Sequence, residues 1–570
     1  MTSETRETGG PRVRDDEAMD LDADASYRAI ATRDARFDGR LFIAVKSTGI
    51  YCRPICPART PKRENLAFYP SAAAAQEAGY RPCLRCRPES APDLGVWRGT
   101  SNTVSRAVAL IEKGGLDGAD VEALAERLGV GERQLRRLFQ RHLGASPIAV
   151  AQTRRVLLAQ HLIHDTRLPM GEVALAAGFG SVRRFNETFQ QLFGRPPSTL
   201  RRGGAPVSAG PSGEVTIRLP YRPPYDWSAM LAFLRARAIR GVEVVSGDGY
   251  ARTIAIGGAH GAVAVRPAEG NALRAVIQFP QLSALPAIVA RLRRVFDLAA
   301  DPEVIGAHLS EDPALAPLVA ARPGLRVAGA WDGFELGVRA LLGQQITVTA
   351  AIGYAGKLVA AYGKPLAGAI MTDGLTHVFP DPERVAGADL STLGLTRARA
   401  AALGSLARAV VADPEIFGPR RSLEEAIRTL KALPGVGEWT AQYIAMREMR
   451  EPDAFPAADI GLMRAMADRK GRRPTPGALL ARAERWRPWR AYAAQHLWAS
   501  QGMSYDRGEA PRDDRSPVRP LHPARPPARG LRADGDREAR DAGAGRAERG
   551  GRARPGRVRR RAGAARGRPR

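Results

Sequence analysis

The chain has 570 residues, 44% of them hydrophobic, and a formal net charge of +27. That length allows roughly three to five domains with real cores. No apolar run approaches the roughly 20 residues of a membrane span, and the N-terminus carries no signal-peptide pattern, which argues against membrane and secretory roles. From Arg507 onward 20 arginines face 8 acidic residues, leaving +15 on residues 1–506, so even the body of the chain is basic enough to expect a polyanionic partner.

Residues 1–24 are polar and charged, and disorder is expected there. All four cysteines follow in one window: Cys52, Cys56, Cys83 and Cys86, spaced C-x3-C-x26-C-x2-C. Two close pairs separated by a longer excursion can fold four thiolates around one zinc ion, and in a chain without a secretory leader this outweighs two disulfides. The flanking residues are more specific. Phe42 to Arg59 reads FIAVKSTGIYCRPICPAR, followed by Arg63-Glu64-Asn65 and by Gly79-Tyr80-Arg81-Pro82-Cys83-Leu84-Arg85-Cys86. Over about residues 25–91 the chain resembles the N-terminal domain of the Ada family of alkylation-response proteins. The resemblance implies a small zinc-bound α+β domain in which Cys52 takes a methyl group irreversibly from a methylated DNA phosphotriester, while the other three cysteines hold the metal. Four thiolates on one zinc leave two net negative charges, which repel a phosphodiester but not a neutral phosphotriester. Lys46, Arg53, Arg59, Lys62, Arg63, Arg81, Arg85 and Arg87 are the expected grip on flanking phosphates. Methylation of Cys52 would remove one negative charge and strengthen DNA binding, turning repair into a signal.

Asp120 is placed to cap a helix bearing Val121, Leu124 and Leu128; Gly129 breaks it, and Leu135, Leu138 and Phe139 resume the apolar stripe. The pattern recurs at Val173 and Ala177 before Gly178, then at Phe185, Phe189 and Leu192 before Gly194. Two such helix-turn-helix units, joined by a helix through Thr153 to His164, resemble the all-α DNA-binding domain of the AraC family over 97–203. The candidate recognition helices carry Arg133, Gln134, Arg136 and Arg137 in one unit and Ser181, Arg183, Arg184 and Asn186 in the other, side chains that reach phosphates and base edges from the major groove. Taken singly, each arginine is as readily part of a solvated face.

After a Gly/Pro/Ser linker at 204–213, strands are expected at Val215–Leu219, Tyr250–Ile256, Ala262–Arg266 and Ala272–Phe279, with a helix over Ser228–Ala238. Further on, Leu433-Pro434-Gly435-Val436-Gly437-Glu438-Trp439-Thr440-Ala441 resembles the helix-hairpin-helix motif of DNA glycosylases. The surrounding chain, about Val215 to Gln501, looks like the AlkA family of 3-methyladenine DNA glycosylases. This implies an α+β, TATA-binding-protein-like domain over 214–325 and an all-α helix-hairpin-helix glycosylase domain over 326–503. Gly435 and Gly437 let the hairpin turn tightly and aim N–H groups at a phosphate, and in the family its carbonyls also hold a monovalent cation.

Phe455-Pro456-Ala457-Ala458-Asp459 follows where the family keeps its catalytic aspartate. A lone aspartate before a helix is usually an N-cap; the context points to catalysis, and one carboxylate can do both. Phe233, Trp439, Tyr443 and Trp498 match the family's base pocket, although such aromatics are often core. An N3- or N7-alkylated purine is cationic and already a good leaving group. The enzyme then needs to flip the nucleotide, stabilise an oxocarbenium-like sugar through Asp459, and favour the cationic base with electron-rich rings. At the position where the family inserts a leucine into the vacated base stack this chain has Gln345. No Pro-Cys-His-Arg motif occurs, so O6-methylguanine repair is not expected.

The tail, 504–570, is rich in Arg, Gly, Ala and Pro and is expected to be disordered, as a nonspecific DNA binder or as a low-complexity extension without a role. The chain thus reads as a multi-domain α+β alkylation-damage responder: methyl acceptor, regulator and DNA-3-methyladenine glycosylase. It is expected to be cytoplasmic and chromosome-associated, a monomer without membrane contact, with alkylated and operator double-stranded DNA and RNA polymerase as partners. The rival is a transcription regulator with a structural zinc and a catalytically inactive glycosylase-like module.

Overall fold

The computed structural model describes residues 23–501 except 35–36, 92–101, 113, 117–119, 167, 202–213, 367–371, 419 and 421. The expected interdomain linker and C-terminal tail fall outside the described residues. So does the N-terminal stretch, save that helix α1 (Ala23–Ala31) opens before the expected boundary.

The cysteine domain is a four-stranded sheet in the order β3-β1-β2-β4, built from β1 (Phe42–Val45), β2 (Ile50–Cys52), β3 (Leu66–Tyr69) and β4 (Arg81–Pro82). Helix α2 (Ala72–Glu77) is started by Ser71, whose Oγ accepts from the Ala74 N–H at 3.0 Å; its Ala72 and Ala75 pack on the sheet, while Ala73 and Ala74 face Ala145 of the helical segment that follows. Because β4 pairs in parallel with β2, the ends of these strands bring both cysteine pairs to one edge.

The regulatory segment is all helical: α3 (Asn102–Glu112), α4 (Val121–Leu128), α5 (Glu132–Leu143), α6 (Pro147–Asp165), α7 (Met170–Ala176) and α8 (Val182–Phe193). Asp120 caps α4, accepting from Ala123 N at 2.9 Å. Leu135 and Phe139 of α5, and Phe185 and Phe189 of α8, are fully buried, so each of these helices turns a polar face outward at the 3.6-residue period.

A five-stranded antiparallel sheet follows in the order β5-β9-β8-β7-β6: β5 (Glu214–Pro220), β6 (Glu243–Ser246), β7 (Gly249–Ile256), β8 (Ala259–Ala268) and β9 (Ala272–Gln278). Helices α9 (Trp227–Arg237) and α10 (Leu285–Val295) contribute Met230, Leu231, Ile288 and Leu292 to its core. Strand β6 is an addition to the expected set; four residues at a sheet edge are too short to display a period.

The remaining chain is a helical domain with one two-stranded ribbon: α11 (Pro302–Leu309), α12 (Ala316–Ala321), α13 (Gly333–Leu342), α14 (Val348–Tyr362), β10 (Lys364–Pro365), β11 (His377–Val378), α15 (Pro382–Ala386), α16 (Arg397–Ala412), α17 (Leu423–Lys431), α18 (Glu438–Arg447), α19 (Ile460–Ala465), α20 (Pro476–Ala483) and α21 (Arg490–Ser500). Trp486, Phe455, Leu341 and Leu406 anchor its core.

The domains are docked rather than strung. Ser71 donates to the Leu143 carbonyl at 2.6 Å, joining the cysteine domain to the end of α5. The second helix-turn-helix unit shares one hydrophobic core with the five-stranded sheet, Phe185 and Phe189 belonging to the same cluster as Ile217 and Leu273. Arg106 of α3 forms a buried ion pair with Glu451, 2.6 Å apart, eight residues before Asp459. Removing either partner would strand a buried charge, at a cost of about 3–5 kcal/mol.

Candidate metal centre, base pocket and nucleic-acid interface

Cys52 ends β2, Cys56 lies in the loop after it, and Cys83 and Cys86 follow β4. Their four sulfurs all lie within 4.8 Å of one another. Tetrahedral zinc with bonds of about 2.3 Å needs sulfurs roughly 3.8 Å apart, so a small contraction closes the site. Hydrogen bonding among the sulfurs pulls the thiols in opposite directions, Cys52 and Cys86 up, Cys83 down and Cys56 down to about 7, a conflict that a dication resolves by ionising all four. Cys83 and Cys86 are buried, whereas Cys52 and Cys56 are partly accessible. Backbone N–H groups point at two of the sulfurs: Arg53 at Cys86 and Arg85 at Cys83, each at 3.4 Å. Among the described residues none points at Cys52.

Two expected phosphate-gripping cations are used inside the protein instead. Arg53 is buried, pairs with Asp38 and donates to the Cys86 carbonyl at 3.2 Å, bracing the cluster. Arg87 bridges Glu89 at 3.0 Å and Asp165 of α6 at 2.8 Å. Lys46, Arg59, Lys62, Arg63 and Arg85 remain on the surface.

In the helical domain, Asp459 and the four expected aromatics line a single cavity of about 290 Å³. Phe233 comes from α9, Trp439 and Tyr443 from one face of α18, and Trp498 from α21, so the wall is assembled from both sides of the domain junction. The Asp459 carboxylate accepts three hydrogen bonds: Oδ2 accepts from Trp439 Nε1 at 2.8 Å, and Oδ1 accepts from Trp498 Nε1 at 2.9 Å and from the Leu462 N–H at 3.0 Å. It is thus the N-cap of α19 and a charge held on the cavity wall by two indoles. Gly461 makes this possible, because a Cβ there would sit 3.0 Å from Asp459 Oδ1 and 3.2 Å from the Trp498 ring.

Trp439 and Tyr443 stack, with centroids 5.1 Å apart and planes 11° from parallel. Guanidinium groups already cover part of the aromatic wall. Arg447 lies 4.4 Å from the Phe233 centroid, 4.9 Å from Tyr443 and 5.8 Å from Trp498, and Arg237 lies 4.0 Å from Phe233. Sequence reasoning overlooked both arginines and Gly461. A signal existed: Arg447 is four residues beyond Tyr443, and Arg237 four beyond Phe233, so each shares a helix face with its ring. Behind them Glu335 is buried between Arg252 (2.6 Å) and Arg339 (2.7 Å); burial works against its charge, but the two arginines win and hold the carboxyl down at about 2.

The hairpin between α17 and α18 presents exposed Gly435 and Gly437. Gly435 has φ +83°, and a Cβ would strike Ala402 at 2.6 Å, so only glycine fits there. Gly437 is the N-cap of α18 with open space around it, leaving the helix N-terminus clear for a phosphate. The Gly435 carbonyl accepts from Gln344 at 2.9 Å. Its neighbour Gln345 is exposed in the α13–α14 turn at φ +59°.

On α5, Arg133, Gln134, Arg136 and Arg137 are all exposed, as are Ser181, Arg183, Arg184 and Asn186 at the start of α8. Ser181 caps α8, accepting from the Arg184 N–H at 3.2 Å. Arg136 pairs with Glu132 at 2.5 Å and Arg183 with Glu187 at 2.8 Å, exposed pairs weak enough to yield to a phosphate.

These parts define a class: a DNA-repair protein uniting a four-cysteine metal domain, a double helix-turn-helix and a helix-hairpin-helix base-excision fold. Family models agree segment by segment. They are the metal binding domain of Ada at 25–89, a helix-turn-helix domain at 124–203, the AlkA N-terminal domain at 216–332, and the HhH-GPD superfamily of base excision DNA repair proteins at 338–491. A probable bifunctional transcriptional activator/DNA repair enzyme AlkA of Mycobacterium tuberculosis is 42% identical over 485 residues, 85% of this chain and 97% of the relative. DNA-3-methyladenine glycosylase 2 of Escherichia coli is 37% identical over 50% of this chain and 98% of its own length. The bifunctional transcriptional activator/DNA repair enzyme AdaA of Bacillus subtilis is 30% identical over 35% and 90%. The chain belongs to the family of bifunctional transcriptional activator/DNA repair enzymes, and it carries one zinc site of four cysteines. Among the described residues no helix is long and apolar enough to cross a membrane.

Proposed function

We propose that the chain is an alkylation-damage responder that accepts methyl groups on Cys52, regulates transcription through α5 and α8, and excises alkylated bases of the 3-methyladenine type at Asp459. The observation that carries the enzymatic reading is the Asp459 carboxylate, fixed by two indole N–H groups and a helix N-terminus on the wall of an aromatic cavity. A carboxylate so held keeps its orientation when positive charge develops on the sugar and costs no reorganisation at that moment. Gly435, Gly437 and the α18 N-terminus would take a backbone phosphate beside the flipped nucleotide, and Gln345 would fill the vacated stack.

At the other end, bound zinc keeps the sulfurs ionised at neutral pH. Cys52 Sγ attacks the methyl carbon of a phosphotriester, the O–CH3 bond breaks, and the phosphodiester anion leaves. Two observations favour Cys52 over Cys83 and Cys86: it is partly accessible, and it lacks the N–H···S bonds that draw electron density from those two sulfurs. The loss of one negative charge then favours operator binding. The reading includes a monomeric chain acting beside RNA polymerase on double-stranded DNA. Its test is release of free 3-methyladenine from methylated duplex DNA by the purified chain; no release would leave the rival, a regulator with an inactive glycosylase-like module.

A further inference from the structure

Helices α13, α16 and α18 cross the helical domain between the hairpin and the regulatory segment. α18 starts at Gly437 in the hairpin, and just past its far end Glu451 pairs with Arg106 of α3. α16 begins under the hairpin, where Arg399 donates to the Gln344 carbonyl at 2.6 Å and Ala402 lies against Gly435. Just past the far end of α16, Glu415 pairs with Arg127 of α4 at 3.1 Å. α13 runs the other way, from Gly333 against Phe417 to Gln344, whose side chain holds the Gly435 carbonyl. At 1.5 Å per residue, the 10 residues of α18 put the docked regulatory segment about 15 Å behind the hairpin. Leu135 and Phe139 of α5 pack inward with Val104 and Leu110 of α3, and Phe185 and Phe189 of α8 pack into the core of the five-stranded sheet. The exposed Arg133 and Arg137 of α5 and Arg184 of α8 therefore face away from the body, while Arg397 stands exposed beside the hairpin. Two basic surfaces result, with the protein itself between them.

Resting on the reading of the hairpin and of α5 with α8 as DNA surfaces, we propose that one chain holds two separate duplex segments at once, one at the helix-turn-helix pair and one at the excision site. A straight duplex lying across Gly437 leaves α5 and α8 uncovered, and a duplex in the grip of α5 and α8 leaves the hairpin uncovered. A single duplex reaches both surfaces only by looping back, which DNA resists over lengths below about 150 base pairs. The further partner of the operator-bound protein is thus a second stretch of double-stranded DNA. Binding at the operator leaves the base cavity open to lesions elsewhere, so regulation and excision do not compete for the chain.

The test counts duplexes per chain. The full-length protein is sedimented with an excess of two short duplexes bearing different dyes, one undamaged and one carrying an uncleavable abasic-site analogue. Each is about two helical turns long, enough for one surface and too short to loop. Both dyes should travel in one complex of a single chain and two duplexes, twice the DNA per chain of a mutually exclusive binder. Arg133→Glu/Arg137→Glu/Arg184→Glu, three exposed changes, should bring the count down to one. One duplex per wild-type chain with both in excess would overturn the proposal, as would two duplexes held by two chains. So would a second duplex that stays on the triple variant, since it would then sit elsewhere on the chain. The underlying reading fails separately: a chain that binds neither duplex has no DNA surfaces of the kind assigned, whereas a chain that binds either duplex but never both retains them and refutes simultaneous binding alone.

Discussion

Replacing Asp459 by asparagine is the most informative single change, and the structure makes its consequences calculable. Asparagine offers one oxygen and one NH2 where aspartate offers two oxygens. Its oxygen can keep the Oδ1 bonds, to Trp498 Nε1 and to the Leu462 N–H, so the cap of α19 survives. Its NH2 then faces the Trp439 Nε1–H across 2.8 Å, donor against donor. That clash costs about 1–3 kcal/mol, the penalty for a buried donor without an acceptor. On the proposed reading, catalysis loses the carboxylate charge placed to meet the sugar cation, a loss of about 3–4 kcal/mol or 100- to 1000-fold in rate. To separate the two effects, Trp439→Phe in the same chain removes the opposing donor: Asp459→Asn/Trp439→Phe should regain most of the lost thermal stability and none of the lost excision. Single-turnover release of 3-methyladenine beside thermal unfolding reads both quantities. Release by Asp459→Asn within a few-fold of wild type, or recovery in the double variant, would refute the electrostatic role and leave Asp459 as a scaffold for Trp439.

Chelation of zinc should expose the segment from Cys52 to Cys86 to protease while the helical domains stay intact, because the metal is what ties the loop after β2 to the loop after β4; unchanged cleavage would contradict a structural dependence on the metal. Methylated protein should bind its operator more tightly than unmethylated protein, with the gap closing as salt rises, since the difference is one charge facing a phosphate-lined duplex; equal affinity at low salt in a titration would sink the charge argument. His496 in α21 is buried, and burial, opposed by a hydrogen bond at Leu318, holds its imidazole down at about 4 against an ordinary 6.5. The folded state therefore prefers the neutral ring, stability is full above about pH 6.5 and falls toward pH 4, and the loss reaches about 3 kcal/mol. Urea midpoints across that window should decline more gently in His496→Asn; an identical slope would show that another group carries the loss.

The parts legible in the sequence were those whose chemistry is local. Four cysteines in one window, a Pro-Gly-x-Gly turn before α18 and apolar stripes at helical spacing each announce themselves within a few residues. What escaped depends on contacts between distant segments. Strand β6 exists because β7 offers it an edge, and its four residues carry no period of their own. Arg53 reads as a surface cation until Asp38 and the Cys86 carbonyl close around it. Arg447 and Arg237 read as ordinary helix arginines until α9 and α18 meet over Phe233. Linker composition likewise suggested separable modules, whereas the core shared by α8 and the five-stranded sheet joins regulator and glycosylase in one packed body.

The central claim, two repair chemistries in one chain, is tested most directly by following a labelled methyl group. Duplex DNA carrying isotopically labelled methyl groups is incubated with the full-length chain, and the label is located afterwards in free bases and in peptides. The account predicts two pools, free 3-methyladenine and a methylated Cys52 peptide, the first lost in Asp459→Asn and the second in Cys52→Ser. Label found in a single pool, or on Cys56, Cys83 or Cys86 in place of Cys52, would contradict it.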